Sequence, residues 1–186
     1  MWISPLLNIL DLSFLTENGI CYQLIEGELV MSVVPGLSHQ RTVFNLLFLL
    51  GKYLAQNPVG EVIPGAALIF SDFTYLVADI VYISNLKRGE IIAGEQICAA
   101  PELVIEVLSV SLESSHKDRR IKRQIYQKYG VKEYWLVCPE QQNIEIYQTP
   151  KLELAKILSG RDVVSSPLLE GFYCLSQEIF KIQSTS

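Results

Sequence analysis

The chain has 186 residues, of which 49% are hydrophobic and 19% charged, and its formal net charge is −5. This composition fits one globular domain over residues 1–186 and excludes a disordered chain. The acidic balance gives no basic signature of nucleic-acid binding, although carboxylates gathered around a cation would contribute to the same charge.

Four cysteines are scattered along the chain without a Cys-x-x-Cys pair. Their spacing excludes a zinc framework and a secreted disulfide scaffold, and it predicts free thiols in a reducing compartment. The sequence lacks the run of about 20 apolar residues that a membrane span needs. Its apolar N-terminus also lacks the basic region and the cleavage site of a signal peptide. We therefore expect a cytoplasmic protein with no membrane partner.

The N-terminal part of the chain predicts a lead-in, a hairpin and a long helix. Residues 1–19 form a short amphipathic segment, and two strand-like runs then flank Glu26-Gly27, a plausible tight turn. Apolar residues at three- and four-residue steps predict a helix over about 39–56, and Ser38 is placed to act as its N-cap.

The middle of the chain predicts three strands and one long connection. Two strand-like runs lie at 61–70 and 75–83, and a third, at 102–108, is apolar on both faces. Residues 84–100 are polar and long enough to form a mobile flap or a substrate-facing loop.

The C-terminal part predicts one more helix and further strands. The helix is expected over about 117–129, ending at Gly130, and strands follow at 132–137 and 143–148. The remaining residues suggest an appended strand or two and a polar tail. No linker or internal repeat divides the chain, so the sequence predicts a single domain.

The strand at 102–108 carries a carboxylate, Glu106, at a position where its neighbours are Ile105 and Val107. Burying an uncharged polar group without a hydrogen bond costs roughly 2–7 kcal/mol. An unpaired carboxylate in such a strand costs at least as much, or it takes up a proton and becomes neutral. Glu106 must therefore bind a metal ion, a basic side chain or a substrate.

Asp79 is a second acid of the same kind, since it is the only charge in the strand at 75–83. If the two strands are antiparallel neighbours, the carboxylates of Asp79 and Glu106 lie side by side and repel each other. A hard cation such as Mg²⁺ or Mn²⁺ would remove that conflict, because these ions prefer oxygen ligands and often take only one or two carboxylates.

Lys122 is the third candidate. On the predicted helix it shares a stripe with Ile125, Tyr126 and Tyr129, the side expected to pack against the sheet. Its ammonium could therefore meet the two acids. The alternative is an ion pair with Asp118, four residues earlier, which is the common fate of such lysines.

Each acid also has an ordinary interpretation: an edge-strand residue that faces solvent, or a core carboxylate satisfied by arginine. The occurrence of both acids on neighbouring apolar strands, followed by a basic helix, favours a metal site. Two acids and a lysine suit hydrolysis of a phosphodiester, in which the metal activates water and the lysine orients it or offsets developing charge.

Several segments resemble the PD-(D/E)XK nuclease superfamily, and within it the Uma-two group of predicted restriction endonucleases. The matching segments, in family order from Tyr22 to about Tyr147, are YQLIEGELVMS, SHQR, VADIVYIS, APELVIEVLS and DRRIKRQIYQKYGVKEYWLV. The resemblance implies an α/β fold with a restriction-endonuclease-like core (αβββαβ) at approximately 20–148, an N-terminal β-hairpin and extra C-terminal strands.

The resemblance also implies roles for individual residues. Asp79 and Glu106 correspond to the two acids of the motif, but Leu108 stands where the motif usually has its lysine. In this group the lysine has moved to the following helix, where Lys122 matches. Three further positions recur in the family and are candidates for auxiliary roles: Glu28, His39 and Tyr126. For Glu28 and His39 the alternatives are a solvent-facing hairpin acid and a polar residue at a helix start.

The function predicted on these grounds is a Mg²⁺- or Mn²⁺-dependent endonuclease with DNA as its substrate. By analogy with the family, it is expected to be a homodimer. The alternatives are a non-catalytic nuclease-fold module that binds nucleic acid or protein, which the acidic pI favours, and a hydrolase of some other phosphoester.

Overall fold

The structure is a computed structural model that describes residues 6–12, 14–15, 20–109 and 116–182; the side chains of 32–33 and 116–119 are not described. Its elements in chain order are α1 (Ile9–Leu12), β1 (Ile20–Ile25), β2 (Glu28–Val33), α2 (Leu37–Gln56), β3 (Gly60–Ser71), β4 (Thr74–Ser84), α3 (Asn85–Ile91), β5 (Ile92–Ala93), β6 (Gln96–Ile97), β7 (Leu103–Val107), α4 (His116–Tyr129), β8 (Glu133–Cys138), β9 (Asn143–Gln148), β10 (Glu153–Ser159), β11 (Val163–Ser166), β12 (Leu169–Leu175) and α5 (Ser176–Ile179).

A ten-stranded mixed sheet organises the molecule. Eight strands follow the order β10-β9-β8-β7-β4-β3-β6-β5, and the β1–β2 hairpin joins the sheet through β4. Strands β7 and β8 are parallel neighbours, so they need the crossover connection that α4 supplies. The order α2-β3-β4-β7-α4-β8 contains the αβββαβ core expected from the sequence, and the α/β fold prediction is confirmed.

Two apolar clusters form the core. The first joins α2 and the C-terminal strands to the sheet, and its members include Leu46, Leu50, Ile105, Trp135, Val164 and Phe172. The second joins α4 to the sheet, and its members include Val81, Val104, Ile125, Tyr126 and Tyr134. Strand β7 contributes to both clusters and is buried along its whole length, as a strand covered on both faces requires.

The predicted hairpin turn is confirmed. Glu26 and Gly27 both have positive φ angles, 51° and 88°, the combination that a two-residue turn of type I′ requires. The predicted cap of the long helix is wrong, because α2 begins at Leu37 and its N-cap is Gly36, without a side-chain hydrogen bond. Ser38 lies inside the first turn, because a serine cap stabilises a helix by only about 1 kcal/mol and tertiary packing readily overrides such a local preference.

The connection at 84–100, which the sequence suggests as a mobile flap or a substrate-facing loop, contains regular secondary structure. The segment contains α3, whose N-cap Ser84 accepts a hydrogen bond from the Lys87 amide, and the small β5–β6 hairpin. Burial of Ile91 and Ile97 holds both elements on the sheet. The C-terminal region is larger than expected, since it forms three strands and the short helix α5. Within the described ranges, no helix is long and apolar enough to cross a membrane.

Candidate active site

The two candidate acids lie on adjacent antiparallel strands. Strands β4 and β7 pair in a register that ends with Ile80 opposite Ile105. One step further along the same register, Asp79 faces Glu106. Directly opposite residues of an antiparallel pair point to the same face of the sheet, so the two carboxylates share one face.

Asp79 lies where β4 changes its neighbour. The N-terminal part of β4 pairs with β1, with Tyr75 opposite Leu24, whereas the part from Ile80 onward pairs with β7. Between these pairings the Val77 amide donates a hydrogen bond to the side-chain oxygen of Gln23 on β1 at 3.1 Å. The Asp79 side chain is 24% exposed there, which makes it the more accessible of the two acids.

One oxygen of Asp79 binds two protein groups. The Val107 amide donates a hydrogen bond to Oδ2 over 2.7 Å, and His39 Nε2 lies 3.2 Å from the same oxygen. Val107 is on β7, next to Glu106, and His39 is buried in the first turn of α2. Two elements distant in sequence, α2 and β7, therefore hold the Asp79 carboxylate on β4.

One oxygen of Glu106 likewise binds two groups, both from α4. Lys122 Nζ donates to Oε1 over 2.9 Å and the Tyr126 hydroxyl donates to the same oxygen over 2.6 Å. The two donors are four residues apart, so one face of the helix presents both of them. Lys122 thus reaches back to Glu106, while the side chain of Asp118, its alternative partner, is outside the described part of the chain.

Burial and neighbouring charges shape the electrostatics of the site. Burial raises the pKa of Glu106, the Lys122 ammonium opposes that rise, and the nearby Asp79 carboxylate adds to it. Burial and the Glu106 charge raise the pKa of Tyr126 well above its usual value. The Tyr126 phenol therefore keeps its proton and remains a hydrogen-bond donor to Glu106.

The donor set fits a hard divalent cation. In the described part of the chain, the hydrogen bonds to Asp79 all end at Oδ2 and those to Glu106 at Oε1. Asp79 Oδ1 and Glu106 Oε2 accept no hydrogen bond from the described residues, so each can serve as a ligand atom. Among the described residues, no group of three or more His, Cys, Asp or Glu side chains is arranged to hold a metal ion. A cation such as Mg²⁺ would thus take two carboxylates and complete its shell with water, carbonyl or phosphate oxygens.

The structure does not bring every predicted residue to this cluster. Glu28 is exposed at the turn end of the β1–β2 hairpin, and the Leu24–Tyr75 pairing places that end near the start of β4, away from Asp79. No hydrogen bond or ion pair of the described residues joins Glu28 to either acid. Sequence reasoning missed the Val107 amide, whose partnership with Asp79 no side-chain pattern could reveal.

Comparison with known families identifies the chain. The model of the family described as "Uma2: Putative restriction endonuclease" matches residues 8–178. The chain therefore belongs to the Uma2 family, and the resemblance noted in its sequence is confirmed. No curated protein matches the chain.

Two solved structures are similar to the chain. The first is described as "a putative nuclease belonging to DUF820 from Anabaena variabilis ATCC 29413"; its TM-score is 0.79 at 16% identity, over 94% of this chain and 97% of that chain. At this identity the likeness establishes the fold alone. The second is the type IIG restriction endonuclease BpuSI, with a TM-score of 0.42 at 15% identity over 74% of this chain and 15% of that chain. A TM-score this low does not establish a shared fold.

Proposed function

We propose that this member of the Uma2 family is a divalent-metal-dependent endonuclease that hydrolyses phosphodiester bonds of DNA. The observation that carries the proposal is the pair of facing acids, each with one oxygen bound by the protein and one left over. Asp79 and Glu106 would hold the cation, and Lys122 lies against Glu106 at 2.9 Å.

Each residue has a distinct task in this proposal. When bound, the cation would polarise the phosphate and lower the pKa of an attacking water. Lys122 orients that water or offsets the negative charge of the transition state. Tyr126, held protonated by burial, fixes the Glu106 carboxylate so that its second oxygen faces the ligand.

Further parts of the proposal concern partners and location. DNA is the expected substrate because the family is described as restriction endonucleases. A homodimer suits the cutting of two strands by two symmetric sites. Glu28 is proposed as an outer ligand or proton acceptor, which would require the hairpin to move toward Asp79. The four free cysteines support a reducing, cytoplasmic location.

The second candidate function is a non-catalytic module that retains the nuclease fold to bind nucleic acid or protein. The net charge of −5 favours it, because a DNA-binding surface is usually basic. Against it stands the site itself: burying Glu106, Lys122 and Tyr126 together has a desolvation cost that a binding module does not need.

The deciding experiment is incubation of the protein with supercoiled and linear DNA in the presence of Mg²⁺, Mn²⁺ or a chelator. Asp79→Ala and Glu106→Ala serve as the inactive variants. We expect cleavage by the wild-type protein only with metal, and a loss of at least about 100-fold in both variants, as for removal of a charge-stabilising group. Cleavage by the variants at the wild-type rate, or none by any protein, would reject the enzyme.

A further inference from the structure

We propose that His39 is a positioning residue for the metal-binding acid Asp79, retained to aim that carboxylate and not to stabilise the fold. The inference rests on the proposed function, because it assigns His39 a task toward the same cation. His39 and the Val107 amide together occupy Asp79 Oδ2, so that Oδ1 alone is presented to the metal.

The hydrogen-bond chemistry fixes which atom donates. An ionised carboxylate only accepts hydrogen bonds, so Nε2 of His39 must carry the proton in its 3.2 Å contact with Asp79. Nε2 carries a proton both in that neutral tautomer and in the cation, and the contact holds in either form. A histidine that orients a carboxylate in this way restricts the rotation of the carboxylate plane, as partners behind a metal ligand commonly do.

Burial of the ring argues against a purely structural role. His39 is 4% exposed, yet its other nitrogen, Nδ1, is buried and has no hydrogen-bond partner within the described part of the chain. A buried polar atom without a partner destabilises a protein, whereas an apolar side chain of similar size would fill the same space without that defect. The contact with Asp79 is then the reason for a histidine at this position.

The helix that carries His39 is held firmly. Asn45, two turns further along α2, donates from Nδ2 to the carbonyl oxygens of Ile179 and Lys181 at 3.0 and 2.9 Å. Beyond it, Leu46 and Leu50 are buried against the sheet. A donor on a packed helix keeps its position better than one on a loop, which suits a residue that must aim a ligand.

The test compares three variants by Mn²⁺ affinity, measured by electron paramagnetic resonance of free Mn²⁺, and by thermal unfolding without metal. His39→Met removes the donor and keeps an apolar volume. His39→Gln can place an amide N–H close to the position of Nε2, whereas His39→Asn places it near that of Nδ1. We expect Mn²⁺ affinity to fall about 10- to 100-fold in His39→Met and His39→Asn and to be largely retained in His39→Gln. The melting temperature of His39→Met should equal or exceed that of the wild type.

Two results would overturn the inference alone. The first is a His39→Met variant that binds Mn²⁺ as tightly as the wild type while Asp79→Ala has lost Mn²⁺ binding. The second is an equal loss of Mn²⁺ affinity in His39→Gln and His39→Met, which would show that a donor at the Nε2 position is irrelevant. A wild-type protein that binds no Mn²⁺, or an Asp79→Ala variant that binds it normally, would instead remove the metal site and with it both proposals.

Discussion

Glu106 on β7 and Glu133 on β8 are buried carboxylates on neighbouring strands of one sheet, yet they are satisfied in different ways. Burial raises the pKa of both. Glu133 uses both oxygens: Oε1 accepts from Trp135 Nε1 at 2.6 Å and Oε2 from Gln148 Nε2 at 2.9 Å. Glu106 receives its two donors on a single oxygen.

A third buried acid follows the pattern of Glu133. Glu102 binds Ser84 with both oxygens, Oε1 to the hydroxyl and Oε2 to the backbone amide. Glu102 and Glu133 therefore accept hydrogen bonds on both oxygens from neutral donors, whereas both described donors to Glu106, one of them the Lys122 ammonium, bind a single oxygen. If Glu106 has the proposed role, this difference, rather than burial, distinguishes it from the two other acids.

The largest effect that would test this contrast is expected in Glu106→Gln. The amide keeps the size of the side chain and can still accept hydrogen bonds from Lys122 and Tyr126, but it supplies no charge to a cation. We expect metal-dependent cleavage to fall at least about 100-fold with no loss of unfolding free energy at pH 8, measured by urea denaturation. Full activity in this variant would remove Glu106 from the site.

Glu133→Ala is expected to show the opposite behaviour. It leaves Trp135 Nε1 and Gln148 Nε2 without their acceptors and opens a small cavity, so the free energy of unfolding should fall by about 2–4 kcal/mol. At a temperature where the variant is folded, its cleavage rate should stay within about threefold of the wild type. Since a threefold change is below 1 kcal/mol in barrier height, a larger loss would place Glu133 in the site as well.

The pH dependence of stability gives a third test. Because the folded pKa of Glu106 is raised above its ordinary value of 4.5, its contribution to stability is fully present below about pH 4.5 and is lost as pH rises through the folded pKa. Wild-type protein should therefore lose unfolding free energy relative to Glu106→Gln as pH rises from 4.5 to 8, by at most about 1.4 kcal/mol per pH unit. A difference that does not change with pH would contradict the raised pKa.

The smallest effect is expected at Lys128, the matched control for Lys122 on the same helix. Its ammonium pairs with Glu26 at 2.6 Å, but both side chains are exposed, and exposed pairs contribute little. Lys128→Met should change neither the melting temperature nor the cleavage rate measurably, whereas Lys122→Met should abolish cleavage. If both variants lost activity equally, the general positive charge of α4 would matter more than the contact with Glu106.

Much of this arrangement could be predicted from the sequence. Asp79 stands out as the single charge in its predicted strand and Glu106 as an acid between Ile105 and Val107. The helical stripe places Lys122 and Tyr126 on the side that faces the sheet. These signals are local, since the period of two in a strand and of 3.6 in a helix determine which side a residue takes.

The parts that could not be predicted depend on tertiary packing. The contact of His39 with Asp79 joins residues forty positions apart, and only the docking of α2 on the sheet brings them together. Local preferences favour Ser38 as a helix cap, but these preferences are weak compared with tertiary packing, and α2 begins one residue before it. An acid at the start of a strand is usually solvated, so the sequence does not mark Glu133; its burial and its contact with Gln148 arise only when β9 pairs with β8.

The packing of the C-terminal strands has a consequence for the smallest piece of the chain that can fold on its own. Phe172 on β12 packs with its ring centroid 6.4 Å from that of Trp135 and 5.6 Å from that of Tyr53 on α2. A fragment limited to 20–148 would lack Phe172, would leave Trp135 and Tyr53 without that packing partner, and would lose the carbonyl oxygens that accept hydrogen bonds from Asn45. We therefore expect that residues 20–148 do not fold on their own, and that limited proteolysis between β9 and β12 lowers the melting temperature of the protein although it cuts far from Asp79 and Glu106 in the sequence.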